Sequence, residues 1–62
     1  MVDTLGRTIL IMEDSRKQII KLLNETEEES IRSSLMDEIL RIDYSVEKLE
    51  LQRKLLQLPN LF

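Results

Sequence analysis

The side chains able to do chemistry in this 62-residue chain are carboxylates, guanidinium and ammonium groups, and hydroxyls, because the chain has neither cysteine nor histidine. Disulfides, thiolate nucleophiles, imidazole bases and the usual zinc ligands are thereby excluded. The carboxylates cluster at Glu13-Asp14, Glu27-Glu28-Glu29 and Asp37-Glu38. Neighbouring residues on a helix point about 100° apart, so adjacent pairs do not converge on one ion. A di-metal carboxylate bundle would also want Glu-x-x-His motifs. Ser15, Ser33, Ser34 and Ser45 have no base of the usual kind to activate them. No catalytic, metal or cofactor-binding residue is assigned, and a non-enzymatic protein needing no cofactor is expected.

Arg16 and Arg53 attract notice by position, since each interrupts an otherwise apolar stripe. An arginine there lays its stem along an apolar seam and keeps its head in water. For Arg16, Glu13 and Gln18 are near enough in sequence for ordinary surface pairing.

The elements that hold these groups follow from spacing. Gly6 and Pro59 are the only glycine and proline, so backbone chemistry breaks no helix between Arg7 and Leu58. Leu5, Ile9, Met12, Arg16, Ile19 and Leu23 fall on one helical stripe, and Leu35, Ile39, Ile42, Val46, Leu49, Arg53 and Leu56 on another. The two stripes are out of phase, which requires a break between them. Asn24 tolerates a left-handed C-terminal position, and Thr26 with Glu29 three residues on has the form of a capping box. The expected domain is a single hairpin: helix 1 over about 4–23, an acidic turn over 24–26, helix 2 over about 27–58, and a tail over 59–62.

Antiparallel helices pair positions of constant total, and a total of about 51 sets Leu5 on Val46, Ile9 on Ile42, Met12 on Ile39 and Arg16 on Leu35. The start of helix 1 then lies opposite residue 47 or so, leaving an overhang on helix 2 with Leu49, Leu51, Leu55, Leu56 and Leu58. Met36, Leu40 and Tyr44, continued by Leu51, Leu55 and Leu58, form a second apolar face on helix 2. The fold class is all-α, an antiparallel helical hairpin whose surplus apolar surface is covered by dimerisation into a four-helix bundle. The expected partners are a second copy and another protein. The chain is read as a small regulatory or adaptor protein that works through helix-mediated contact.

Three resemblances bear on that role. Glu13-Asp14-Ser15-Arg16 looks like the Glu-x-x-Arg element of the small aspartyl-phosphate phosphatases of spore-forming bacteria. Ser33-Ser34-Leu35-Met36-Asp37, with Tyr44 beyond, resembles their Ser-Gln-x-Leu-Asp element, although the Gln is Ser34, the Leu is Met36 and the glycine-containing turn is missing. The resemblance implies a hairpin whose Ser33 and Asp37 face a phosphorylated response regulator. Gln57-Leu58-Pro59-Asn60-Leu61-Phe62 resembles the peptides by which bacterial replication proteins dock on the sliding clamp, one residue longer than the commonest form. Leu61 and Phe62 serve either as such a docking pair or as a lid on the bundle end. In size and architecture alone, the chain is similar to the small plasmid copy-number bundle regulators that bind nucleic acid. Arg7, Lys17, Lys21, Arg41 and Lys48 are interleaved with Asp14, Asp37 and Glu47 without a stacking aromatic, so nucleic acid is disfavoured as a partner.

Composition sets the outer bounds. Nine basic against twelve acidic residues give a net charge of -3, with no general pull toward nucleic acid or an anionic membrane surface. Residues 24–30 carry the four glutamates Glu25, Glu27, Glu28 and Glu29 without a basic residue, so the acidity is concentrated at the turn. The longest apolar run, Ile9 to Met12, fits neither a signal peptide nor a membrane span, and a cytoplasmic location is expected. The absence of alanine beside abundant isoleucine, glutamate and lysine is compatible with an AT-rich bacterial or phage gene.

Overall fold

The computed structural model describes residues 3–57 of the chain, which form two helices and no strand. Helix α1 spans Thr4–Glu25 and helix α2 spans Glu29–Gln57. Each starts and stops for a local reason. Asp3 caps α1, its carboxylate accepting the Gly6 N–H at 2.9 Å, which satisfies one of the amides that a helix start leaves unpaired. Gly6 gives the Asp3 carboxylate room to approach, and its dihedral freedom is not used. A Cβ at that position would lie 2.6 Å from the Asp3 carboxylate.

At the other end α1 runs through Asn24 and stops at Thr26, whose backbone is extended at φ -101° and ψ 130°. No non-glycine residue among those described has a positive φ, so the expected left-handed Asn24 does not occur. The expected capping box does not form either. The Thr26 hydroxyl donates back to the Leu22 carbonyl at 2.6 Å instead of accepting from the second helix. Arg32 accounts for the first difference, because its guanidinium reaches from α2 to the Leu23 carbonyl at 2.7 Å and the Thr26 carbonyl at 3.0 Å. Orphan carbonyls at a helix C-terminus are satisfied there by a cation, so neither a glycine nor a left-handed residue is needed. Helix α2 opens where the Glu28 carbonyl accepts the Arg32 N–H at 3.0 Å, with Glu29 in the first turn at the positive end of the helix.

The helices lie antiparallel, and contacts between them reach from the turn to the start of α1. Both stripes read from the sequence supply the seam. Leu5, Met12, Ile19 and Leu23 of α1 and Leu35, Ile39, Ile42, Val46 and Leu49 of α2 are half-buried, while Ile9, at 6 % exposure, is the one buried side chain among the described residues. The register differs from the expected one. Position numbers total 55 for Leu23 with Arg32, 56 for Asp3 with Arg53 and 59 for Arg16 with Asp43. The later turn accounts for the shift, since moving the loop by two residues raises every paired total by about four. Arg16 therefore meets Asp43 and not Leu35, and the start of α1 reaches Arg53. The long overhang is accordingly reduced to the last turn of α2. Leu49 belongs to the seam inside the chain, Leu56 lies exposed in the last turn, and Leu51 and Leu55 are exposed on a different face.

Candidate functional site

The most distinctive surface lies on the side of α2 away from α1. Met36, Leu40, Tyr44, Leu51 and Leu55 are all exposed there, Leu40 by 66 % and Tyr44 by 62 %. At about 100° per residue these five centre about 160° around the helix from the seam residues. Helix α2 thus has two apolar faces on opposite sides, with only one of them covered. Ser33, Asp37, Glu47 and Lys54 fall on the same outward ridge, and all four are exposed. Lys48 places its ammonium 5.3 Å from the centroid of the Tyr44 ring, an exposed cation–π contact that fixes the ring over the next turn.

Of the residues picked out from the sequence as partner-binding, Leu51 and Leu55 join Met36, Leu40 and Tyr44 on this ridge. Leu56, at 74 % exposure, lies at the edge of the seam side away from this ridge, and Leu49 lies within the seam. Leu58, Leu61 and Phe62 fall outside the described residues, as do Pro59 and the clamp-peptide resemblance they carry. On α1, Leu10, Ile11 and Leu22 are exposed but sit on two different flanks.

The arginines singled out by position both act between the helices. Arg16 Nε donates to Asp43 Oδ1 at 2.7 Å, with both side chains half-buried. Gln18, considered as a neighbour of Arg16, instead donates to Asp14 Oδ2 at 3.1 Å. Arg53 pairs with Asp3 Oδ2 at 2.5 Å, tying the start of α1 to the last turns of α2. The Gly6 amide, and with it the Arg53 guanidinium, hold the Asp3 carboxyl below its ordinary range. Asp3 and Asp43 were not foreseen as partners; the signal available was that each carboxylate shares a helix end or flank with an unpaired arginine opposite.

An open groove of about 580 Å³ lies beside the Asp3–Arg53 pair, floored by Ile9 and Leu10. Its charged lining is balanced, with Asp3, Glu13 and Glu50 against Arg7, Arg53 and Lys54, so it offers no field of one sign to a small charged ligand. Arg7, Lys17 and Lys21 are exposed on the outer side of α1 with Asp14 between them. Ser33, Asp37 and Tyr44, the residues that carry the phosphatase resemblance, are together on the α2 ridge, whereas Arg16 is engaged with Asp43 at the seam. Among the described residues no helix is long and apolar enough to cross a membrane. No protein-family model, no curated protein and no solved structure matches the chain.

Proposed function

We propose that the chain is a small non-enzymatic regulator or adaptor that acts through helix-mediated contact with other protein chains, a second copy of itself included. The observation that supports this is the outward ridge of α2. Five large apolar side chains in line on a helix whose opposite face already packs are an interaction surface in want of a neighbour. Two hairpins placed ridge to ridge would cover this surface in a four-helix assembly with the two α2 helices at its centre. The test is affinity purification from the native host with the native chain and with Leu40→Asp, at matched levels. Partners retained by the native chain and lost by the variant support the reading; the same partners captured by both would sink it.

The clustering of Ser33, Asp37 and Tyr44 on that ridge favours a second reading. As in the phosphatases the sequence resembles, Asp37 and Ser33 would meet a phosphorylated response regulator. Loss of phosphate from such a regulator, abolished by Asp37→Ala, supports it, and an unchanged phosphate lifetime removes it.

A further inference from the structure

We infer that the α2 ridge is a self-recognition surface on which two copies of the chain pack with their α2 helices antiparallel. The inference rests on the proposed reading and names the occupant of its surface. Ser33, Asp37, Leu40, Tyr44, Glu47, Leu51 and Lys54 follow one another at alternating spacings of four and three, the repeat of a coiled-coil seam. All seven are exposed, and among the described residues neither Asp37, Glu47 nor Lys54 enters an ion pair.

The order of charges along this line decides the orientation. In a parallel pair each residue meets its own counterpart, so Asp37 faces Asp37, Glu47 faces Glu47 and Lys54 faces Lys54. Like charges in three layers repel. In an antiparallel pair the layers join positions whose numbers total a constant, and a total of about 91 makes every layer complementary. Asp37 then meets Lys54 of the second copy, Leu40 meets Leu51, and the Tyr44 hydroxyl meets the Glu47 carboxylate, each twice by symmetry. Sliding by one heptad toward the helix start sets Asp37 against Glu47, and sliding the other way sets Glu47 against Leu51. Met36 and Leu55 flank the layers and are covered with them. Like charges meet at both rims, Arg41 beside Lys48 of the second copy on one and Asp43 beside Glu50 on the other, although Asp43 is already paired with Arg16 of its own chain. Arg41, Lys48 and Glu50 are exposed and screened by salt, whereas Asp37 and Lys54 sit within the layers. The paired region covers residues 34–57 of α2, about 36 Å of helix.

Charge exchange tests the pairing. Asp37→Lys and Lys54→Asp should each weaken dimerisation about tenfold in sedimentation equilibrium, since each replaces two attractions by two repulsions, and the double variant should recover most of the loss. Because the chain has no cysteine, orientation can be read by oxidative trapping. An equal mixture of Leu40→Cys and Leu51→Cys chains should give a mixed disulfide dimer, with neither variant cross-linking well alone. Efficient self-linking of Leu40→Cys, no rescue in the charge-exchanged double variant, or a native chain that stays monomeric at high micromolar concentration overturns the inference. A monomer that still holds its host partner through Leu40 leaves the proposed function standing and removes only the self-recognition.

Discussion

Arg16 is the residue at which sequence and structure speak most differently. Its place in an apolar stripe was plain, but its partner was not, because Asp43 lies 27 positions away and no local spacing connects them. Periodicity tells which side chains share a face; it says nothing about a charge on another element. With both groups half-exposed, the pair is a modest contributor, and Arg16→Met should cost about 1 kcal/mol in thermal or urea melts. Adding Asp43→Leu should recover that loss, since an apolar pair of similar volume replaces an ion pair without leaving a lone charge. A double variant less stable than Arg16→Met would show that Asp43 serves another partner. Asp3 supplies a pH test. Its folded-state pKa is lowered by the Gly6 amide and Arg53, so its contribution is present above the unfolded pKa and disappears as pH falls through the folded one. Asn keeps the cap but not the charge. The native chain should therefore melt above Asp3→Asn at neutral pH, and the two should converge as the pH falls below the ordinary carboxylate range.

At the scale of helices, both stripes, the two-helix division and the location of the turn within a few residues were legible, because amphipathic spacing survives any detail of the loop. The register was not. Sliding one helix past another by a turn leaves the same faces together, so the periodicity of Leu5 to Leu23 and Leu35 to Leu49 fits several totals almost equally. What selects among them is the turn, and the turn is closed by Arg32, whose bonds to the Leu23 and Thr26 carbonyls are set by geometry rather than by pattern. Arg32→Ala should cost about 1 to 2 kcal/mol by leaving part-buried carbonyls without their cationic donor, with increased amide exchange concentrated at residues 22–28. An unperturbed turn in that variant would transfer the role to Thr26. Gly6→Ala sets two effects in opposition. Alanine favours the helix interior by about 1 kcal/mol, yet its Cβ occupies the space of the Asp3 carboxylate. The expected outcome is little change in stability at neutral pH together with loss of its pH dependence below the carboxylate range.

The molecule as a whole is a single layer, with principal extents of 55 × 19 × 10 Å. Two helices side by side enclose no volume, which is why only Ile9 among the described residues is withdrawn from water. Chains of this size are marginal when they bury only one seam. Folding should therefore be coupled to association, so that the midpoint of thermal unfolding rises with protein concentration. A midpoint independent of concentration from low to high micromolar would mean that the hairpin is stable on its own and that the ridge serves only a different protein. The outward ridge itself was legible, since Met36, Leu40, Tyr44, Leu51 and Leu55 share a second apolar line by spacing alone; what the spacing missed was the extent of the overhang, because the register assumed too early a turn.

That single buried isoleucine has a consequence for lifetime. A chain held by its neighbours is most open to cleavage when it has none, because proteases act on the transiently opened state. Copies made in excess of available partners would be cut first, and copies seated in a complex would persist. If the hairpin is held by neighbours as proposed, its thinness would tie the amount of protein that survives to the amount that is engaged.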